Sequence, residues 1–141
     1  MQRISSARGF TLIEILIVMV LIGLSISVVI PNIGNTLDKI RFKGETKKAF
    51  ELIEKMKFNA FFYQKSIKIS EQGNKLVISG MDFSKDEVPD LVYSMKNEIS
   101  FSPNGVTPGG QILLYFKGKP KTRINVERFT GRLTLESVQG Q

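Results

Sequence analysis

The alternation of apolar and polar residues divides the chain into three parts. Residues 1–9 are polar and basic, and the run from Phe10 to Ile30 is apolar with Glu14 as its one ionisable side chain. A helix rises about 1.5 Å per residue, so this run would cover roughly 31 Å, close to the thickness of a bilayer's hydrocarbon core. The pattern therefore predicts a transmembrane and assembly helix over residues 10–30.

A second helical segment is predicted after the apolar run. Pro31 and Gly34 interrupt it, and a proline lacks a backbone donor and crowds the preceding turn, so we expect a kink near Pro31. The pattern predicts that residues 31–64 continue the helix, because apolar side chains recur there at the spacing of an amphipathic face. These side chains are Ala49, Leu52, Ile53, Met56, Ala60 and Tyr63.

Residues 65–141 change to short runs of β-forming residues separated by turn residues. The runs predict strands at 66–70, 75–79, 91–95, 99–101, 112–116, 122–126 and 133–135. The pair Gly73-Asn74 predicts a hairpin between the first two. The predicted fold is α+β: a long N-terminal helix, transmembrane in its first half, packs on antiparallel β-sheets. Residues 31–64 and 65–141 would form one globular domain.

The composition argues against catalysis, because the 141 residues include no His and no Cys. The commonest general base, the thiolate nucleophile and most zinc ligands are therefore missing, and we expect no enzyme, no metal site and no cofactor. Asp82, Asp86, Glu87 and Asp90 flank Pro89, and their spacing fits no calcium-binding loop. We interpret this segment as a solvated surface loop.

The formal net charge of +7 is concentrated near the C-terminus. Residues 117–141 carry two acidic side chains against the basic Lys117, Lys119, Lys121, Arg123, Arg128 and Arg132. Such a patch indicates either a solvated surface or contact with an anionic partner such as DNA, whose binding would weaken as salt rises. Aromatic residues that could stack on bases are limited there to Tyr115, Phe116 and Phe129.

The short leader sets the expected topology. Arg3 and Arg8 would hold the N-terminus in the cytoplasm by the positive-inside rule, so the chain beyond residue 30 would lie across the membrane. The small residue Gly9 precedes the apolar run, whereas the cleavage site of a secretory signal peptide follows it. A carboxylate at the depth of Glu14 costs on the order of 2.5–3.5 kcal/mol, which predicts a functional role with a partner.

The segment Gly9-Phe10-Thr11-Leu12-Ile13-Glu14, followed by an apolar helix, resembles the prepilin signature of type IV pilins and type II secretion pseudopilins. The resemblance implies that a prepilin peptidase cuts between Gly9 and Phe10 and that Phe10 is then N-methylated. It matches Glu14 to the family's assembly glutamate and Pro31 to its helix-loosening proline. The new amine of Phe10 would be a counter-charge for Glu14 of a neighbouring subunit and would set the filament register.

The second half of the chain is similar to H-class minor pseudopilins and FimT-like minor pilins in the segments 49–60, 99–105, 124–126 and 130–133. The resemblance implies a minor subunit in the inner membrane, with its C-terminal domain periplasmic or extracellular. Its partners would be the prepilin peptidase and other pilins or pseudopilins. The implied alternative is DNA capture for natural transformation through the basic C-terminal residues. Thr134, however, stands where DNA-binding FimT-like proteins have a second arginine.

Overall fold

The computed structural model describes residues 9–81 and 87–138, with backbone alone for residues 27–32. Within this part of the chain a long helix precedes seven strands. The elements are α1 (Leu12–Phe62), β1 (Ile67–Gln72), β2 (Lys75–Ser79), β3 (Val92–Met95), β4 (Ile99–Phe101), β5 (Gly110–Phe116), β6 (Lys119–Val126) and β7 (Leu133–Ser137). The strands form two antiparallel sheets, ordered β2-β1-β4 and β3-β5-β6-β7. The predicted α+β class is confirmed.

The helical backbone of α1 continues through Pro31 and Gly34, so neither residue ends the helix. The kink near Pro31 stays a prediction. In the part of the chain that the structure describes, no helix is both long enough and apolar enough to cross a membrane. The transmembrane segment over residues 10–30 therefore also stays a prediction.

The chain divides into two compact units, residues 1–39 and residues 40–141. In the second unit, the amphipathic face of α1 supplies the buried side chains of Ala49, Leu52, Ile53, Met56 and Ala60, as the sequence predicts. The sheets complete this core with Ile67, Ile69, Leu76, Tyr93, Ile99, Phe101, Ile112, Leu114, Ile124 and Val126. Tyr63 was expected on the same face but is half exposed. The reason is that α1 ends at Phe62 and Gln64 adopts a φ of 51°, which turns the chain off the helical path.

The predicted hairpin between β1 and β2 is confirmed. Gly73 and Asn74 have φ values of 60° and 61°, and Gln72 pairs with Lys75 across the turn. Positive φ at both central positions is the conformation of a type I′ turn, whose twist matches that of the two strands.

A second hairpin joins β5 to β6 where the sequence pattern did not predict one. Lys117 and Gly118 have φ values of 51° and 77°. The strand β6 therefore begins at Lys119 rather than at residue 122. Pro120 pairs with Tyr115, and the register of the two strands shifts between Leu114 and Tyr115. Proline has no backbone N–H to donate, and such an irregular position in a sheet tolerates it.

Candidate functional site

The helix α1 begins at Leu12, the third residue after the predicted cleavage point. Thr11 caps it: the backbone N–H of Glu14 donates to Thr11 Oγ1 at 3.3 Å and to the Thr11 carbonyl oxygen at 3.1 Å. The N–H of Ile15 also donates to the Thr11 carbonyl, at 3.3 Å. A threonine followed three residues later by glutamate is the sequence signature of a capping box. The spacing of Thr11 and Glu14 is therefore a signal for this cap in the sequence itself.

The side chain of Glu14 is exposed in the first turn of α1. A negative charge there is favourable, because the unpaired N–H groups give the helix N-terminus a partial positive charge. Among the residues that the structure describes, none forms an ion pair with this carboxylate. Glu14 is therefore open to a partner outside its own described chain.

The first turns of α1 are apolar on every side. Between Leu12 and Ile26 the large apolar side chains are from 49% to 83% exposed in the isolated chain. A helix that is apolar all round is normally covered by lipid or by other helices. This surface and Glu14 form one candidate site, which we call the assembly helix (residues 10–26).

The structure does not bring the six basic C-terminal residues together. Lys117, Lys119 and Lys121 lie at the β5–β6 turn and the start of β6, whereas Arg128 and Arg132 lie in the loop after it. The strand between the two groups has eight residues, which separates its ends by roughly 25 Å at about 3.3 Å per residue. The predicted patch is therefore two clusters at opposite ends of β6.

Arg123 lies between these clusters and is already engaged. It faces Glu136 across the β6–β7 ladder, and its Nη1 is 3.7 Å from Glu136 Oε2. Its Nε is buried and makes no hydrogen bond. Because its charge is offset by Glu136, Arg123 contributes less to a surface for anions than the sequence suggests.

The loop after β6 presents an aromatic ring beside a cation. The Arg128 guanidinium lies 4.9 Å from the ring centroid of Phe129, which is 64% exposed. Phe129 adopts a φ of 71°, a strained value for a bulky residue, and its N–H donates to the Thr107 carbonyl at 3.0 Å. The N–H groups of Glu127 and Gly131 donate within the same loop, so its shape is fixed. We call residues 127–132 the Arg128–Phe129 loop.

The acidic segment is described only in part, since Asp82 and Asp86 lie outside the described residues. Glu87 Oε2 is 2.9 Å from Lys55 Nζ, and Asp90 Oδ1 is 3.6 Å from Lys75 Nζ. Within the described ranges no three His, Cys, Asp or Glu side chains converge as metal ligands would. Glu87 and Asp90 thus make surface ion pairs.

Comparison with known proteins identifies the N-terminal segment. Residues 4–30 match the prokaryotic N-terminal methylation motif. No curated protein and no solved structure gives a significant match to the chain. The motif fits a subunit of the type IV pilin or pseudopilin kind, which is structural rather than catalytic. It implies processing by a prepilin peptidase and assembly with other pilins.

Proposed function

We propose that this chain is a minor subunit of a type II secretion pseudopilus or of a type IV pilus-like filament. Prepilin peptidase cuts between Gly9 and Phe10, Phe10 is methylated, and the assembly helix carries the subunit from the inner membrane into the filament. The observation that carries the proposal is the methylation motif over residues 4–30, placed at the start of a helix whose apolar side chains are exposed on every side.

The position of the helix cap supports this processing. Thr11 and Glu14 both lie on the mature side of the cut, so removal of the leader leaves the capped first turn intact. The new charged amine of Phe10 is then next to the start of α1. That amine needs a counter-charge once the helix is packed among other helices.

Glu14 supplies that counter-charge from a neighbouring subunit. A carboxylate and an amine that are buried together offset much of their desolvation, whereas a carboxylate buried without a partner is strongly destabilising. A wrong axial step between subunits would leave Glu14 without the amine of Phe10. The pair therefore sets the step between subunits.

The second half of the chain supports the minor-subunit assignment. One long helix and two small antiparallel sheets are what the resemblance to H-class minor pseudopilins and FimT-like minor pilins implies. With Arg3 and Arg8 in the cytoplasm, residues beyond 30 would be periplasmic or extracellular. The proposal places this domain on the filament surface or at its tip.

The test is incorporation of Glu14→Ala and Glu14→Gln into filaments sheared from cells that carry the assembly machinery. Both variants should be cleaved like the wild type and be depleted at least tenfold from the sheared fraction, because the charge is lost in each. Ser25→Ala, which changes an exposed polar residue of the same helix, is the matched control. Wild-type incorporation of Glu14→Ala would refute the register role.

A second candidate function is DNA capture, which the exposed stack of Arg128 on Phe129 favours. An aromatic ring beside a guanidinium can stack on an unpaired base. The separation of the two basic clusters along β6 weakens this candidate. A mobility-shift titration of the full chain in detergent, at two salt concentrations, decides it: a shift that weakens with salt and is lost in Phe129→Ser supports DNA capture, and no shift at low salt ends it.

A further inference from the structure

Two edge strands of the domain combine open backbone groups with apolar side chains. The strand β2 is at the edge of the sheet β2-β1-β4, and β7 is at the edge of the sheet β3-β5-β6-β7. The open side of an edge strand has a row of N–H and C=O groups without a neighbouring strand, which makes it a template for pairing with another chain. Neither the assembly helix nor DNA capture uses these two edges.

The backbone of β7 alternates between β6 and the open edge. The Val138 N–H donates to the Lys121 carbonyl at 2.9 Å, which fixes the phase of the β6–β7 ladder. Hydrogen-bonded pairs recur at every second position of an antiparallel ladder, so the backbone groups of Leu135 and Leu133 point to the open edge. The side chain of Leu135 is 47% exposed, although it lies opposite the buried Ile124.

The backbone of β2 alternates in the same way. The two-residue turn Gly73-Asn74 is flanked by a hydrogen-bonded pair, whose second member is Lys75. The backbone groups of Leu76 and Ile78 therefore point away from β1. Among the described residues, none forms a hydrogen bond with these outward groups.

A groove of about 400 Å³ follows the open edge of β2. It is lined by Leu76, Val77 and Ile78 of β2 and by Val88 and Pro89 from the segment before β3. Apolar walls beside a row of open backbone groups fit an extended strand with apolar side chains at alternate positions. The backbone of such a strand would bond to β2, and its apolar side chains would enter the groove.

The strand β7 has this alternation, because Leu133 and Leu135 are separated by one polar residue. An antiparallel alignment with Leu135 of one copy opposite Leu76 of another also brings Leu133 opposite Ile78. Both apolar pairs then lie on one face of the joined strands. A shift of two residues in either direction keeps only one apolar pair, so the side-chain pattern selects this alignment.

Charge does not oppose this alignment. It places Lys75 opposite Glu136, and each of them already has an exposed ion pair in its own chain. Lys75 is 3.6 Å from Asp90, and Glu136 is 3.7 Å from Arg123. The alignment joins the two pairs into a row of alternating sign, which contributes little because exposed ion pairs are weak. The contact depends on backbone hydrogen bonds and on the leucines rather than on charge.

We propose that β7 of one copy adds to the open edge of β2 of a second copy as an antiparallel strand, with Leu135 in the groove. A contact between two different surfaces generates an open helical filament if its rotation does not close a ring. The inference rests on the proposed function in one respect. A contact of this size is weak on its own, and anchoring the copies through their assembly helices supplies the effective concentration that it needs.

The absence of cysteine from the chain allows a direct test, because any introduced thiol is the only one in its copy. Full-length Val77→Cys and Thr134→Cys are purified with different tags, mixed in detergent micelles and oxidised. Both positions are exposed, and the alignment makes them a non-hydrogen-bonded pair with Cα atoms about 4.5 Å apart, within reach of a disulfide.

The heterodimer should form at least fivefold more than the heterodimer of Ser79→Cys with Thr134→Cys. Ser79 is exposed and lies two residues further along β2, so it is the matched control for the register. Equal yields would refute the alignment. A dominant Thr134→Cys homodimer would overturn the proposal by showing that two β7 edges meet.

Amide hydrogen exchange tests the backbone hydrogen bonds. The amides of Leu76 and Ile78 should exchange at least tenfold more slowly in the cross-linked heterodimer than in the dilute wild-type monomer. The amide of Val77 faces β1 and should change little. Slow exchange of Leu76 and Ile78 in the monomer itself would show that the edge is already covered within one chain, which would overturn the proposal.

Cleavage and filament incorporation of the same variants are scored separately. A missing cross-link in a subunit that is cleaved and incorporated normally counts against this contact alone. A retained leader counts against the proposed function instead.

Discussion

At the start of α1 the hydroxyl of Thr11 satisfies a backbone donor that the helix itself leaves unpaired. Thr11→Ala should cost about 1 kcal/mol of helix stability, as the loss of a cap usually does. Hydrogen exchange at the amide of Glu14 should then speed up about fivefold. Thr11→Ser keeps the acceptor and should behave like the wild type, so equal exchange rates in the alanine and serine variants would show that Thr11 does not cap the helix.

Glu14 has two proposed effects: its charge stabilises the first turn of α1, and it is the counter-charge for Phe10 of a neighbouring subunit. A change at Thr11 tests the first effect alone, because it weakens the helix cap and leaves the charge in place. The charge of Glu14 stabilises the helix N-terminus by about 0.3–1 kcal/mol, which is comparable to the contribution of Thr11. If Glu14→Ala blocked assembly only by fraying the first turn, Thr11→Ala would block it as well. If the lost counter-charge causes the block, Thr11→Ala should still enter filaments.

Among the residues that the structure describes, Tyr93 is the one titratable group whose pKa departs markedly from its ordinary value. It is fully buried, and its hydroxyl donates to the Pro89 carbonyl at 3.0 Å. Burial, with smaller contributions from the charges of Glu45 and Asp90, raises the pKa of Tyr93 well above its ordinary value of 10.0. The unfolded chain therefore loses this proton first as pH rises. The stability that Tyr93 contributes is full below about pH 10 and falls above it.

Tyr93→Phe tests this behaviour by thermal unfolding across the alkaline range. At neutral pH the variant should be about 1 kcal/mol less stable, because the Pro89 carbonyl loses the hydrogen bond from the Tyr93 hydroxyl and keeps the one from the Leu91 N–H. Above pH 10 its stability should fall less steeply than that of the wild type. Parallel pH profiles of the two proteins would contradict the assignment.

At the scale of elements, α1 joins two surfaces of different character. Near its start apolar side chains are exposed on every side, whereas near its end Ile53 and Met56 are fully buried and Phe58 is exposed. Near the end of α1 the helical period of the sequence separates buried from exposed residues. Near its start it cannot, because the residues there are apolar on every side. The first segment thus needs a cover outside the subunit, and the second provides part of the core of the domain.

The turn into β5 depends on a glycine that no other residue replaces easily. Gly109 has a φ of 73°, and a Cβ there would lie 2.8 Å from the Val126 carbonyl oxygen and 2.9 Å from the Arg128 backbone nitrogen. Gly118 has a similar φ of 77° but open space around it. Gly109→Ala should therefore cost about 3 kcal/mol and Gly118→Ala about 1 kcal/mol, since only the first adds an overlap to the strained backbone.

Urea unfolding of the full chain in detergent measures both glycine variants. The difference between them isolates the overlap, because the conformational penalty is common to both. Equal losses of stability would show that the loop after β6 shifts to make room. The Arg128–Phe129 loop would then be less rigid than its hydrogen bonds indicate.

At the scale of the whole molecule, the sequence predicts the features that depend on local periodicity. The buried stripe from Ala49 to Ala60 follows the helical period, and Gly73-Asn74 marks a turn that only residues tolerant of positive φ can make. The order of strands in two sheets was not predicted, because pairing depends on contacts between residues far apart in the chain.

The candidate sites show the same division. The motif around Glu14 is local, so the sequence is enough to locate it. Counting charges along the chain placed Lys117 and Arg128 in one patch, because the count does not show that the strand β6 separates them. Arg123 appeared free because its partner Glu136 belongs to another strand. The exposed rings of Phe58, Phe61 and Phe62 were not predicted for a related reason: the pattern shows which side chains of α1 face the core but not how little covers the opposite side of the helix.

The central claim, that this chain is a prepilin-like filament subunit, is tested most directly at its N-terminus. Mass spectrometry of the protein extracted from membranes of cells with a prepilin peptidase should show a mature chain that begins at N-methylated Phe10. Gly9→Leu, which bars the peptidase from the cut, should keep the leader. A wild-type chain that retains Met1 under these conditions would contradict the account.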